Sequence, residues 1–448
     1  MKKFLALALA LCMVFALCAC GKTAAPATTQ AAPATEAAPA ADAAPAAEPV
    51  EITLWTYPIG KWGDAETVDA LMADFEAATG IKVSVEYLDY TNGDDQVNTA
   101  LEGKAAPDLI MEGPERLVAN WGAKGYMVDL ADLWDAEDKD QVNASCVSAC
   151  FTADGKCYEY PVVMTAHCMA VNYTAMQEAG CADLIDLDTH TWTTEQFKQA
   201  VAALYAKFGG TVAAIYCAGQ GGDQGTRAII NNMYGGTFTN PEHTKYTADD
   251  PANVQALEEL VAMDGIDFDA SIVGGDEINL FRQGVLKMAF CWNIAQQLNS
   301  DNNDAGLTND GDEIVFMSFP SQDGNSKLCG GIWGFGIFDN GDDAKVAAAK
   351  EFIKYFCDGD GTEAAVKAAN YFAVRNVAGG HDISGIWADN GIMSEYNKLM
   401  PYLGDYYQVT TGWAEARTAW WNMLQQIGAG DDVTTAVATF CETANAGA

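Results

Sequence analysis

Hydrophobic positions along this chain change their period repeatedly, and the changes divide it into strands and helices. Ile52 and Leu54 alternate with polar neighbours as a short strand does; Val68, Leu71, Met72 and Phe75 then recur at the i, i+3, i+4, i+7 spacing of a helix, which Gly80 ends. Period two returns over 81–87, a helix is predicted at 96–101, and 107–111 is the apolar run of a buried strand. Strand, helix, strand, helix, strand is the order of a parallel sheet covered on both faces, with ligands expected at the carboxyl ends of its strands.

A second region opens at Tyr160-Pro161 with strand-like 162–172. Thr193 and Gln196 form the capping box of a helix running to Phe208, and Asp250-Pro251 opens another with Val254, Leu257 and Val261 on its apolar stripe. The glycines of 330–337 mark a strand that admits close backbone approach, Asp342 or Asp343 caps a helix over 344–357, and helices over 413–427 and 433–444 finish the chain.

The amino-terminal pattern is different. Lys2 and Lys3 precede an apolar run over 4–17, too short to span a bilayer comfortably, so residues 1–19 read as an export signal. The small residues before Cys20-Gly21 resemble a bacterial lipobox, which implies that Cys20 is the lipidated amino terminus. Residues 20–49, rich in Ala, Pro and Thr, lack anything that seeds a core and read as an extended tether. About 400 residues remain, more than one core usually organises, and two domains are expected. The net charge of −38 argues against nucleic acid as a partner. Ten cysteines follow Cys20, an even number that permits disulfides in an exported chain and equally permits buried thiols. No cofactor is called for, the cysteine and histidine spacing does not favour zinc, and Asp301 to Asp312 only partly imitates a calcium loop, with Ala305 at a ligand position.

Several segments, in order, resemble the extracellular solute-binding proteins of the family that contains maltose-binding protein: Ile52-Thr53-Leu54-Trp55, Ala106-Pro107-Asp108-Leu109-Ile110, Tyr160-Pro161, Val171-Asn172-Tyr173, Thr191-Trp192-Thr193, Phe281-Arg282-Gln283-Gly284, Phe319-Pro320 and Gly330-Gly331. The resemblance covers about residues 50–445. It implies an α/β, two-lobed periplasmic-binding-protein-like fold of type II, with an amino-terminal lobe of 50–163 plus about 333–373 and a carboxyl-terminal lobe of about 164–332 plus 374–448. Crossings between the lobes are implied near 162–167, 329–335 and 372–377. It further implies a monomeric receptor, not an enzyme, that hands a small carbohydrate to the membrane subunits of an ATP-driven importer at the outer face of the cell membrane. A non-sugar cargo such as a polyamine, amino-sugar, peptide or metal chelate, and a secreted glycosidase, are the alternatives.

A sugar presents an apolar ring face and a fringe of hydroxyls, so its site needs flat aromatics with planar donors and acceptors. Glu112, Glu115 and Arg116 follow the strand at 107–111, and the Glu115-Arg116 pair matches the family's pattern, while Glu112 stands where the family carries a tryptophan. Trp413, four residues before Arg417, matches its late cleft tryptophan. Trp292 and Trp333 fall where strands open into a cleft, Tyr57 and Trp62 follow the first strand as its more exposed aromatics, and His167 sits at a crossing. Gln220 or Asp223, in a glycine-rich loop without the Lys of a phosphate cradle, is expected to touch hydroxyls of the ligand.

Overall fold

The computed structural model describes residues 50–134, 136–218, 223–268, 271–299 and 305–446. The expected export signal, the lipidated Cys20, the tether, Gln220 and Asp301 lie outside the described residues. From Pro49 onward the chain forms one compact unit.

Its strands fall into two main sheets. Strands β1 (Glu51–Thr56), β2 (Lys82–Tyr87) and β3 (Leu109–Glu112) pair in parallel, β1 in the middle. The chain then contributes β4 (Tyr160–Ala166) to the same sheet and, one residue later, β5 (Cys168–Asn172) to the other. His167 is therefore the single residue between two consecutive strands that serve different sheets. Short strands β6 (Ala213–Ala214) and β7 (Ile266–Asp267) pair with each other, and β8 (Met288–Trp292) and β9 (Ile314–Met317) flank β5 antiparallel. The chain returns to the first sheet as β10 (Gly330–Ile337), which runs antiparallel between β3 and β4, and as β11 (Phe372–Ala373) on the edge beside β4.

Local chemistry explains the helices. Asp64 caps Ala65–Thr79 and Gly80 ends it in the left-handed conformation at φ 77°. Its buried face is the predicted Val68, Leu71, Met72 and Phe75. Thr193 and Gln196 make both capping-box bonds at the start of Thr194–Phe208, and Asp342 caps Asp343–Asp358. One stripe is displaced: helix Pro251–Ala262 buries Asn253, Ala256, Leu257 and Leu260, leaving Val261 45% exposed. The i, i+3, i+4, i+7 template holds one residue earlier than the aliphatics alone indicate. Asn253 joins it because its amide donates to the carbonyls of Thr237 at 2.7 Å and Ala248 at 3.3 Å, which offsets the cost of burying it.

All ten cysteines among the described residues are buried free thiols. Among the described residues no helix is long and apolar enough to cross a membrane, and no group of three or more His, Cys, Asp or Glu is placed to hold a metal ion. Asp312, from the calcium-like segment, accepts a hydrogen bond from the Asn172 side chain at 2.8 Å.

Candidate functional site

The carboxyl ends of β1 and β3 lie side by side, with Thr56 opposite Met111. The residues that follow them build one wall of a cleft. Tyr57 is buried and donates its hydroxyl to Asp94 at 2.5 Å; Tyr90, 49% exposed, stacks on it with ring centroids 5.1 Å apart. Burial, reinforced by the Asp94 carboxylate, pushes the Tyr57 phenol far above its usual range, so it remains a donor. Glu112 turns one carboxylate oxygen back to the Gly113 N–H at 2.7 Å. Gly113 is required by space: a Cβ there would lie 2.7 Å from Glu115 Oε2 and 2.9 Å from the Ile332 carbonyl oxygen.

Arg116 gathers this wall together. Its Nε donates to Asp94 at 2.7 Å, one terminal nitrogen donates to Glu112 at 2.8 Å and stands 3.6 Å from Glu115, and its guanidinium lies 5.3 Å from the Tyr57 ring centre. One cation shared by three carboxylates cannot neutralise them all. Burial accordingly pushes the Glu112 carboxyl up to about 8 even though Arg116 pulls it down. Behind this wall sits a further acid, Glu159, fully buried and with neither carboxylate oxygen hydrogen-bonded among the described residues; desolvation, then Glu115 and Glu112, push it well above the carboxylate range.

The facing wall has the opposite balance. Asp223 stands at the N-cap of helix Gln224–Tyr234, yet its side chain caps nothing. It is spent on two arginines instead: Arg227 donates at 2.9 Å, and Arg417 forks onto both oxygens at 2.6 and 2.5 Å. Burial works to raise the Asp223 carboxyl, and the two guanidiniums override it and hold it below its ordinary value. Arg227, 0% exposed, also donates to the Tyr407 hydroxyl at 3.1 Å and lies 4.8 Å from the centre of the Trp413 ring. Trp413 opens helix Trp413–Gly428 directly after Gly412, whose φ of 73° a side chain would strain.

Between the walls is a cavity of about 550 Å³ lined by Asp94, Glu115 and Arg116 on one side and Trp413, Arg417 and Trp421 on the other. Tyr406 links the walls, its hydroxyl donating to Glu115 at 2.7 Å.

Of the residues singled out in the sequence, Tyr57, Glu112, Glu115 and Arg116 share the first wall, and Trp413 and Arg417 the second. His167 is buried, its Nδ1 without a partner among the described residues; desolvation chiefly pushes it down to about 4, and the opposed charges of Asp223 and Arg227 act on it. It stays neutral at physiological pH. Trp333 is half-buried and stacks on Tyr371, 4.8 Å apart and 10° from parallel. The expected exposure of Tyr57 and Trp62 is not found. Trp62 lies in the core, its indole N–H on the Ala365 carbonyl at 3.1 Å and its edge on Phe335 and Phe356. Trp292 is likewise enclosed, donating to Gln297 at 2.9 Å and packing edge-on to Phe281. Sequence reasoning missed Tyr90, Asp94, Arg227, Tyr406 and Tyr407. Tyr90 and Asp94 had a usable signal, since they follow β2 at a carboxyl strand end as Tyr57 follows β1.

Over residues 61–357 the chain matches the family model for the bacterial extracellular solute-binding protein. No curated protein matches it by sequence. Its fold is similar to that of a cyclic alpha-maltosyl-1,6-maltose binding protein from Arthrobacter globiformis, at 19% identity and a TM-score of 0.69 over 89% of this chain and 98% of that one. It is similar also to the GacH receptor of Streptomyces glaucescens GLA.O, studied unliganded and with acarbose, at 18% identity and a TM-score of 0.65 over 88% and 97% of the two chains. Maltose-bound T. maritima MalE3 aligns at 16% identity and a TM-score of 0.66 over 88% and 99%.

Proposed function

Since this chain belongs to the bacterial extracellular solute-binding protein family, we propose that it is the extracytoplasmic receptor of an ATP-driven importer and closes its two lobes on a small carbohydrate. The observation that carries the reading is the pair of facing walls. Trp413, 7% exposed and packed against Phe238, Tyr407 and Arg227, and the half-buried Trp421 line the cavity with aromatic carbon, while Glu115, Arg116 and Arg417 offer planar hydrogen-bonding groups around its volume of about 550 Å³, within the about 300–1,000 Å³ of small-molecule sites. Solved proteins of the same fold were captured with maltose and acarbose, which supports a sugar as cargo. A ligand that touches both walls favours the closed form because only closure completes its contacts. The membrane subunits then take the ligand from the closed receptor, chemically unchanged. In this reading Cys20 carries the lipid that holds a monomeric receptor at the outer face of the membrane.

One observation favours a second cargo. Asp94 and Glu115, two carboxylates of the cavity lining, flank the single Arg116 guanidinium on that wall, an arrangement that suits an amine-bearing sugar. A thermal-shift panel of neutral sugars, amino-sugars, polyamines and amino acids separates the two. A saturable rise with a neutral sugar, recovered intact and lost in Trp413→Ala, is expected. A response confined to amines transfers the reading to the second cargo, and a chemically altered ligand replaces both with a glycosidase.

A further inference from the structure

The three carboxylates around Arg116 are not engaged alike. Glu112 uses both oxygens, one on Arg116 at 2.8 Å and one on the Gly113 N–H at 2.7 Å, and its side chain is 1% exposed. Glu115 accepts the Tyr406 hydroxyl on Oε2 and holds Oε1 3.6 Å from the guanidinium. Asp94 accepts twice on a single oxygen: Oδ1 takes the Tyr57 hydroxyl at 2.5 Å and Arg116 Nε at 2.7 Å. Its Oδ2 accepts nothing from the described residues, although the side chain lines the cleft cavity and is 47% exposed. Two donors converging on Oδ1 fix the orientation of the carboxylate, so Oδ2 is an oriented acceptor whose lone pairs are unspent.

The two arginines of the cavity are already matched. Arg116 serves the three carboxylates, and Arg417 gives Nε and a terminal nitrogen to Asp223. Lys124 and Glu415 add one charge of each sign from exposed positions. A ligand carboxylate or phosphate would therefore compete with resident acids for either guanidinium, and it would meet Asp94 as a like charge. A carboxylate oxygen accepts and cannot donate, so Oδ2 calls for a hydroxyl or an ammonium from the ligand.

Resting on the reading of this cleft as a sugar site, we propose that Asp94 is its specificity-determining residue. Oδ2 accepts a hydroxyl or ammonium hydrogen of the ligand and selects neutral and amine-bearing sugars over sugar acids. Tyr57 and Arg116 act as positioning residues, holding Oδ1 against the wall and leaving Oδ2 to the ligand.

Calorimetry tests this, with D-glucose, D-galactose, D-mannose, maltose and D-glucosamine as probes and D-glucuronate and D-galacturonate as their acid counterparts. At least one neutral or amine-bearing probe is expected to bind, and the uronates at least about tenfold more weakly. Asp94→Asn keeps an oxygen for Tyr57 and Arg116 and puts an NH2 in place of Oδ2, so an acceptor becomes a donor at one atom. This variant is expected to weaken the bound sugar about 10- to 100-fold and to narrow its advantage over the uronates, with thermal unfolding little changed. Tyr57→Phe, which removes one donor to Oδ1, is expected to weaken binding less and to keep the order of preference. A loss shared equally by all probes marks Asp94 as structural and overturns the proposal, as does a uronate bound as tightly as its parent sugar. Silence with every probe overturns the sugar reading of the cleft and this assignment with it, whereas a bound sugar indifferent to Asp94→Asn overturns the assignment alone.

Discussion

Asp223→Ala removes the carboxylate that Arg227 and Arg417 share. Asp223 and Arg227 are both 0% exposed, and Arg417 retains 16% side-chain exposure. Taking one partner from a buried pair costs about 3–5 kcal/mol, because the remaining charge is stranded away from water. Arg227→Leu perturbs the same pair differently: Asp223 keeps the two-pronged Arg417 contact at 2.6 and 2.5 Å, so no charge is stranded and the cost falls to about 1–3 kcal/mol. In the double variant the fully buried guanidinium is gone when its carboxylate goes, and Arg417, the more exposed of the two arginines, loses only its Asp223 contact. The double loss is therefore expected to fall short of the sum of the single losses by about 1–3 kcal/mol. Urea unfolding at pH 7, followed by tryptophan fluorescence with the denaturant slope checked for constancy, measures all four corners of the cycle. Equal costs for the two single changes, or an additive double, would refute the reasoning, for either result means that water and not Arg417 stabilises Asp223.

The Glu112 carboxyl is raised in the folded state from an ordinary 4.5 to about 8, so the unfolded chain ionises first and stability is expected to fall as pH rises from about 4.5 to 8, by on the order of 1 kcal/mol per pH unit. Glu112→Gln should flatten that part of the profile in urea titrations across pH, and an unchanged slope would show that Glu112 ionises freely. Gly113→Ala places a methyl against Glu115 and the Ile332 carbonyl and is expected to cost about 1–3 kcal/mol in the same assay; a neutral result would mean that the turn relaxes easily. Tyr406→Phe deletes the donor to Glu115 and is expected to weaken cleft binding several-fold in calorimetry, about 0.5–1.5 kcal/mol, with unaltered affinity as the refuting outcome.

Much of the fold was legible because it is local. The capping pair Thr193 and Gln196, the stripe from Val68 to Phe75 and the stop at Gly80 all act within one or two helical turns, the range over which side chains on one helix interact. The strand-end rule also placed Tyr57, Glu112, Glu115 and Arg116 together, because parallel strands bring their carboxyl ends to one edge. What was illegible is the fate of a side chain whose partner is distant in the chain. Trp62 looks no different from Trp413 until Ala365, 303 residues away, presents a carbonyl to its indole. Tyr406 and Glu115 are 291 positions apart, and neither carries a local sign of the other. The stripe displaced to Asn253 is a third case, since an amide belongs on a buried face only when remote carbonyls receive it.

The ten enclosed thiols have a consequence for how this chain reaches its native state. Disulfides form and persist in the oxidising compartments outside the cytoplasm, and an unfolded chain exposes all ten sulfurs at once. Once folded, they are hidden; burial pushes Cys157, Cys168 and Cys329 each up to about 12, so almost none is present as the thiolate that attacks a disulfide. The period of chemical vulnerability is thus the interval between translocation and collapse. Burial of the sulfurs in the folded core, in place of a disulfide framework, is what keeps them from thiol–disulfide exchange.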